Sequence, residues 1–343
     1  MKYLSFISIN IILFSSFFSC VKLEPEPVNR SVNLNSGSSV LIGNEGNFQY
    51  GNASLSIYNK ETNEVNNGVY QSLNQSNLGD VLHSMYHVDH EIYLIINNSG
   101  KIIVIDDENL IYKREINPLT SPRRILKVNT GKFYITDIYA NKLYVYNSID
   151  ESIDQIPVNG WCEELIAVNG KAFVCNVSND QVYVIDISSN LLSDSIPIVG
   201  KPTCIRQDNL QRLWVLSRGN SQNSTSSNLT LIDPQTNTIL KYFPTDNNGT
   251  YPSSLRINNS TNQVYFINKH IYRINNIENT EQEIIWINSG ENFYNLEIDP
   301  YQNDIYVTNA KDYVQNGSVI ILDSAGYFKN EISCEIIPKS ILF

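Results

Sequence analysis

The fold is decided by three short segments that recur along the chain. Their clearest copy is Ser121-Pro122-Arg123-Arg124-Ile125, Gly131-Lys132-Phe133-Tyr134-Ile135-Thr136 and Asn141-Lys142-Leu143-Tyr144-Val145-Tyr146-Asn147. The central aromatic residue of the second segment recurs at a nearly regular spacing, at Tyr93, Tyr134, Phe173, Trp214, Tyr265 and Tyr306. Each segment has the length and apolar content of a strand, and a repeat with a period of roughly forty residues is typical of β-propeller blades. Seven copies can be counted, so the sequence predicts an all-β, seven-bladed β-propeller.

The first copy of the repeat is incomplete, and the missing part is found at the far end of the chain. The copy begins at Val40-Leu41-Ile42-Gly43, a segment of the second type, with no segment of the first type before it. The last six residues, Pro338 to Phe343, have the pattern of that missing first segment. We therefore expect the C-terminal strand to complete the first blade and close the ring, which removes exposed sheet edges. The predicted propeller spans residues 39–343.

The segment before the propeller has the features of an export signal and a tether. Residues 1–19 join a short basic start to an apolar run, which is typical of a signal peptide. The small residue before Cys20 fits a lipoprotein signal, so Cys20 is the predicted lipidation site, although a plain signal peptide with a chance cysteine is the alternative. Residues 20–38 are rich in Pro, Asn and Ser and should form a linker. Lipidation predicts a membrane anchor at the outer membrane, with the propeller expected at the cell surface and the periplasm as the alternative.

Composition excludes some functions. The formal net charge is −11, and the basic residues occur in pairs rather than in a stripe. Nucleic-acid binding depends on basic patches that neutralise phosphates, so we do not expect a nucleic-acid partner.

A search for catalytic or metal-binding groups finds none that stands out. Asp106, Asp186, Asp233 and Asp323 recur once per blade after the third strand, which indicates turn capping rather than catalysis. His83, His87 and His90 fall across a strand and a turn, where their side chains should diverge, so we predict no metal site. No nucleophile motif is present. Four cysteines follow Cys20; buried free thiols are favoured, and a Cys162–Cys175 disulfide stays open.

The irregular loops on one face of the ring are the candidate binding surface. Loops between second and third strands share this face with loops that lead into each inner strand. These loops are unusually rich in aromatic and amide side chains, a composition expected of a binding surface. The predicted ligand-binding residues of this rim are Asn44, Phe48, Tyr50, Asn97, Asp137, Tyr139, Trp161, Arg218, Tyr251, Tyr294 and Tyr313.

Several of these segments also resemble a known family. The segments are Asn44-Glu45-Gly46-Asn47-Phe48, Gly51-Asn52-Ala53-Ser54-Leu55-Ser56, Asn97-Asn98-Ser99-Gly100-Lys101, Ser121-Pro122-Arg123 and Thr136-Asp137. Together they resemble the YncE-like propeller lipoproteins of Bacteroidetes, over about residue 40 to the end of the chain. Members of the BtuG type capture cobalamin (vitamin B12) and pass it to a TonB-dependent outer-membrane transporter. The resemblance implies a corrinoid ligand and such a transporter as partner.

The sequence therefore predicts a non-enzymatic, lipid-anchored binding protein with a small-molecule ligand and no cofactor of its own. An Asn-, Tyr- and Trp-rich rim would suit a corrinoid fringed with amides, but it would also suit a glycan. An interaction protein that binds glycan or protein at the cell surface is the alternative. A propeller lyase or hydrolase is the third hypothesis.

Overall fold

Seven four-stranded antiparallel sheets make up the fold, as the sequence predicts. The computed structural model describes residues 37–220, 225–245, 251–275 and 281–343. The seven sheets are the predicted blades. In this part of the chain the helical structure is confined to α1 (Val69–Asn74), in the connection between the first two blades. No helix within the described residues has the length and apolar character that crossing a membrane requires.

The strands of each blade follow one another from the central axis outward. The innermost strands are β4 (Leu82–Val88), β8 (Pro122–Asn129), β12 (Cys162–Val168), β16 (Pro202–Gln207), β20 (Ser253–Ile257), β24 (Phe293–Ile298) and β28 (Pro338–Leu342). The second strands are β1 (Ser39–Asn44), β5 (Glu91–Ile96), β9 (Lys132–Asp137), β13 (Lys171–Asn176), β17 (Leu213–Ser217), β21 (Val264–Asn268) and β25 (Ile305–Asn309). The third strands are β2 (Ser54–Asn59), β6 (Lys101–Asp106), β10 (Lys142–Asn147), β14 (Gln181–Asp186), β18 (Asn228–Asp233), β22 (His270–Ile274) and β26 (Asn316–Leu322). The outer strands are β3 (Val65–Asn66), β7 (Tyr112–Ile116), β11 (Ile153–Pro157), β15 (Leu191–Pro197), β19 (Thr238–Pro244), β23 (Gln282–Trp286) and β27 (Phe328–Ile336).

The ring is closed by β28, and this prediction is confirmed. The sheet order of the first blade is β28-β1-β2-β3. Leu41 faces Leu342 and Ile42 faces Ile341 in the antiparallel register of β1 and β28. The inner strands contact one another in a circle, because β28 also packs against β4 and β24. One blade is thus built from both ends of the chain.

The core consists of apolar clusters between neighbouring blades. Each of the seven interfaces has its own cluster within the described residues. The interface that closes the ring packs Val40 and Ile42 of the first blade against Val319 and Ile321 of the seventh. The periodic aromatic residues of the second strands are at most 2% exposed. A strand packed on both faces is expected to be apolar throughout, which explains the continuous runs in the second and third strands.

The aspartates that recur once per blade cap their turns, as predicted. The Asp106 carboxylate accepts hydrogen bonds from the backbone N–H groups of Glu108 and Asn109. Asp323 accepts from Ala325 and Tyr327 in the same way. Bonds of this kind fix a tight turn, so these carboxylates have a structural role.

The cysteines after Cys20 are buried free thiols, which agrees with the favoured interpretation. Cys162, Cys175, Cys204 and Cys334 form no disulfide in the structure. Burial raises the pKa of the Cys162 thiol to about 12. Cys20, the predicted signal peptide and most of the linker lie outside the described residues.

Candidate functional site: the central channel

The inner strands share an irregularity that shapes the axis of the ring. Close to its first residue each inner strand shifts register against its neighbour, for example between Pro122 and Ile125 in β8 and between Cys162 and Leu165 in β12. A β-bulge leaves a residue outside the regular ladder and redirects its side chain. The residues in these bulges line a central cavity.

This cavity has a volume of about 610 Å³ and is lined by all seven inner strands. One position near the start of each strand contributes a side chain, and the ring so formed is unusually polar. The seven members are His83, Arg123, Glu163, Thr203, Ser253, Tyr294 and Lys339. Volumes between about 300 and 1,000 Å³ are typical of small-molecule sites.

Glu163 is the centre of a buried charged network on one side of the channel. Its Oε2 accepts hydrogen bonds from Arg123 Nε at 2.8 Å and from Trp161 Nε1 at 2.6 Å. Its Oε1 lies 3.2 Å from His83 Nε2. Burial alone would raise the pKa of Glu163, but Arg123 and His83 outweigh burial and hold that pKa well below its usual range. Glu163 is therefore ionised and fully engaged.

The chemistry of its neighbours determines the tautomer of His83. Lys339 Nζ lies 2.9 Å from His83 Nδ1, and because an ammonium group can only donate, Nδ1 must be the acceptor. Nε2 then carries the proton and donates to Glu163. Burial lowers the pKa of His83 well below its usual value, and the charges of Arg123 and Lys339 lower it further. His87 Nε2 and His90 Nδ1 lie elsewhere, 2.9 and 3.5 Å from the same oxygen of Asp107, so the predicted divergence holds for His83 but not for this pair.

A second network is centred on Glu164, the residue next to Glu163 in the same bulge of β12. This carboxylate bridges Arg206, at 2.5 and 3.0 Å, and Arg124, at 3.1 Å. Burial opposes ionisation of Glu164, but the two guanidinium groups keep its pKa below the usual value. Arg256 pairs with Glu297 in the next inner strands along the ring. Paired, hydrogen-bonded groups are the form in which charge is tolerated at low exposure.

Aromatic side chains at the mouth of the channel are stacked with cations. The guanidinium carbon of Arg218 lies 5.1 Å from the ring centre of Trp161 and 5.6 Å from that of Tyr251. The Arg123 guanidinium lies 5.6 Å from the same indole, and Lys339 Nζ lies 4.9 Å from the Tyr294 ring. Contacts at these distances are cation–π interactions, and they hold the mouth residues in place.

The structure brings together part of the predicted rim. Trp161, Arg218, Tyr251 and Tyr294 all line the cavity. Tyr313 packs edge-on against Tyr294, with ring centres 5.9 Å apart. Trp161, Arg218 and Tyr251 thus form one contact group, and Tyr294 and Tyr313 form a second, although the residues come from widely separated parts of the sequence.

The other predicted rim residues differ in their exposure. Phe48, Tyr50 and Tyr139 are exposed in loops outside the cavity lining. Asn44 and Asp137, by contrast, end their strands and are buried, so their expected place on an exposed rim is wrong. Asn44 donates to Ser54 and Ser56 inside its blade, and Asp137 accepts from the backbone of Ser121, Tyr139 and Ala140. Asn97 is half-buried and ties its loop to Ser121 and Pro122.

Sequence reasoning missed the charged residues of the inner strands. Arg123, Arg124 and Arg206 look like scattered basic pairs along the chain, yet they meet at the axis. Aligning the copies at their first strand would have revealed them, because Pro122-Arg123, Pro202-Thr203 and Pro338-Lys339 place a polar residue at the same blade position. The informative feature is a repeat position whose residue type changes from blade to blade.

Fold and channel together define the class of protein, a seven-bladed β-propeller with a charged axial channel and a cation–aromatic mouth. The chain belongs to the family described as a domain of unknown function (DUF5074), which matches residues 38–335. No curated protein sequence matches the chain.

Solved structures with similar folds have little sequence in common with this chain. A quinonprotein alcohol dehydrogenase-like protein from Bacteroides thetaiotaomicron has a TM-score of 0.70 at 14% identity, over 88% of this chain and 77% of that chain. A protein from Lactobacillus plantarum has a TM-score of 0.70 at 12% identity, over 89% and 99%. Streptogramin B lyase has a TM-score of 0.59 at 13% identity, over 73% and 82%. At such identities the likeness shows the propeller fold alone.

Proposed function

We propose that this protein is a non-enzymatic binding protein that captures a small molecule at the mouth of its central channel. The observation that carries the proposal is the cluster of Trp161, Arg218 and Tyr251 at the opening of a cavity of about 610 Å³. Aromatic faces beside a few fixed polar groups are the usual composition of a ligand site.

The proposal of a binding protein rather than an enzyme is supported by the state of the channel's titratable groups. A general acid or base must be free to exchange a proton with the substrate near the working pH. Both ring nitrogens of His83 are engaged, by Glu163 and by Lys339. Glu163 and Glu164 are held ionised by guanidinium groups. A lyase among the similar folds does not alter this, because propellers carry many functions.

A corrinoid is the ligand that we propose to test first. The resemblance to YncE-like lipoproteins supports this choice, and so does the chemistry of the mouth. A corrinoid offers a broad apolar face, a fringe of amides and, in cobalamin, a phosphodiester. These groups match the aromatic faces and the cations of the mouth. Delivery to a TonB-dependent outer-membrane transporter is part of the same proposal.

Calorimetric titration of cyanocobalamin into the protein tests the ligand and its place. We expect saturable heat at micromolar protein, and Trp161→Ala should weaken binding by roughly ten-fold or more, as for a buried aromatic anchor. Tyr327→Ala is the matched control, because Tyr327 is an exposed aromatic residue in the turn between β26 and β27, on the opposite face of the ring. Absence of heat with the wild type would refute the corrinoid. Equal binding by the Trp161→Ala variant would refute the mouth as the site.

We further propose that the propeller is anchored to the outer membrane through lipid on Cys20. Replacing Cys20 with Ser removes the thiol to which the lipid would be attached. The variant should then be recovered in the soluble fraction, whereas the wild type should sediment with membranes and partition into detergent. Membrane association of Cys20→Ser equal to that of the wild type would contradict the anchor. Sensitivity of intact cells to added protease separates surface from periplasmic exposure.

A glycan- or protein-binding surface is the second candidate, and the exposed aromatic residues favour it. Phe48, Tyr50 and Tyr139 are exposed outside the channel lining. Exposed aromatic residues are common where a protein binds a sugar ring or another protein. Under this candidate Tyr50→Ala and Tyr139→Ala would weaken binding and Trp161→Ala would not, the reverse of the pattern expected for a channel ligand.

A further inference from the structure

The lining of the channel does not balance its own charge. Three acidic side chains line the cavity, namely Glu163, Glu164 and Glu297, and six basic side chains line it, namely Arg123, Arg124, Arg206, Arg218, Arg256 and Lys339. Glu45 adds one more carboxylate, 2.9 Å from Lys339 Nζ. Two positive charges are therefore uncompensated among the described residues of the channel. His83 adds none, since its neighbours favour the neutral form.

This excess is notable because the whole chain is acidic. The protein has a formal net charge of −11, so a channel lining with the average composition of the chain would carry a negative charge. Walls of low dielectric focus the field of the charges within a cleft. A positive channel in an acidic protein attracts an anion to one place and repels it from the rest of the surface.

Among the arginines of the channel, Arg218 is the one whose positive charge has no carboxylate partner within the described residues. Arg123, Arg124, Arg206 and Arg256 each have a carboxylate partner. Arg218, in the part of the chain that the structure describes, has no ion-pair partner, and its buried Nε has no hydrogen-bond acceptor. Trp161 and Tyr251 pack against its guanidinium group by π contacts, which use the faces of the rings and supply no acceptor for Nε.

A guanidinium group that is held in place by aromatic rings and lacks an anionic partner can bind an oxyanion. Its N–H donors form a rigid fork that matches a carboxylate or a phosphate in two parallel hydrogen bonds. Leaving the buried Nε donor unpaired costs free energy, and a ligand oxygen would recover it. Because Trp161 lies beside Arg218, a flat group attached to the anion would rest against the indole.

We propose that the natural ligand of the channel carries an oxyanion, a carboxylate or a phosphate, that Arg218 binds in a bidentate manner beside an aromatic or other flat group on Trp161. The inference rests on the proposed function, since it assumes that a small molecule enters the channel mouth. It does not depend on the corrinoid, because any ligand with this pair of groups would satisfy it.

Three small probes test the oxyanion site directly. Phenyl phosphate, benzoate and the neutral benzyl alcohol share a ring and differ in charge, and binding of each is followed by tryptophan fluorescence and calorimetry. We expect both anions, or one of them, to bind at least about ten-fold more tightly than the alcohol, as a charged hydrogen bond requires. The tighter of the two anions identifies phosphate or carboxylate as the preferred group. Equal binding of the alcohol, or no binding of either anion at millimolar concentration, would overturn the proposal.

Variants then assign the effect to Arg218. Arg218→Gln should lose roughly ten-fold or more of the affinity for the anion, and Arg218→Lys should recover only part of it, because a lysine keeps the charge without the fork. Lys241→Gln is the charge-matched control, since Lys241 is exposed on the outer strand β19 of the same blade. Unchanged melting temperatures show that the variants are folded. Anion binding by Arg218→Gln equal to that of the wild type would show that Arg218 does not form the anion site.

The outcomes also separate this inference from the proposed function. If cyanocobalamin binds wild type and Arg218→Gln equally, a channel ligand exists and the oxyanion inference is wrong. If the anions bind at Arg218 but cyanocobalamin does not bind, the oxyanion site stands and the corrinoid is wrong.

Discussion

Glu163 links the charged channel to its aromatic mouth. One oxygen faces His83 in the channel, and the other accepts hydrogen bonds from Arg123 and from the indole of Trp161. The indole therefore has a fixed orientation before any ligand arrives. Preorganisation of this kind reduces the entropy lost on binding, which favours affinity without additional contacts.

His83 should make the stability of the protein depend on pH. The pKa of His83 is lowered in the folded state, so below about pH 6.5 the unfolded chain takes up a proton at this residue and the folded chain does not. The free energy of unfolding should then fall as the pH falls, by at most about 1.4 kcal/mol per pH unit for this one proton. His83→Gln should make that decline shallower between about pH 6.5 and 5. Urea unfolding at a series of pH values measures it.

Glutamine is a suitable replacement for His83 because it can make the same two hydrogen bonds. A glutamine at position 83 can still donate to Glu163 and accept from Lys339, so the network is preserved while the titrating group is lost. His90→Gln, at an exposed position, keeps His83 and should keep the wild-type decline. A variant at position 83 with the wild-type slope would show that His83 is not the source.

At the scale of the strand, β28 has the greatest influence on the fold. Removing residues 338–343 would leave β1 as an unpaired edge at the axis and take Ile341 and Leu342 out of the apolar clusters on its two sides. Lys339 would be lost as well, leaving Glu45 and His83 without their partner. We expect a large fall in melting temperature and binding of a hydrophobic dye, measured by calorimetry and by fluorescence. A truncated protein with the wild-type melting temperature would contradict this role of β28.

A milder change tests the same strand in the intact chain. A Cβ at Gly317 would overlap the Pro338 ring at the start of β28 and approach the Asn309 carbonyl oxygen at 2.7 Å. Gly317→Ala should therefore loosen the closing strand. Gly51→Ala is the control, because no atom lies within 4 Å of its Cβ and only the left-handed backbone at φ +61° opposes it. The Gly317 variant should melt at the lower temperature of the two.

The inner strands also explain what the sequence could not predict. The third strands and the turn aspartates follow local rules, of apolar runs and of side-chain bonds to the turn backbone, so they could be identified from residues alone. The channel depends on ring closure, which places Lys339 beside His83 although they are far apart in sequence. The bulges that direct Arg123 and Glu163 inward have no local sequence pattern that we could recognise. Consequently the sequence predicts the rim only in part and does not predict the charged residues of the channel.

At the scale of the whole molecule, the repeat distributes stability over the blades and leaves the residues at the axis free to vary. Each blade contacts its two neighbours through a separate apolar cluster, so the architecture needs only the apolar pattern and the turns. The axial position of the inner strands is free of that requirement, and its residues differ from blade to blade. The fold could therefore be predicted from the sequence with its blade count, whereas the ligand could not.

The pairing of β1 with β28 has a consequence for protein engineering. Leu41 opposes Leu342, so residues 39 and 343 lie near each other at one end of this antiparallel strand pair. In the six other blades, the first and second strands are joined directly by a connection of two to six residues. A short turn from Phe343 to Ser39 would make the first blade continuous like the rest, and the chain could then be opened at an exposed turn such as Asn169-Gly170. Such circular permutants would move the chain termini around the ring while the axis and its mouth stay the same.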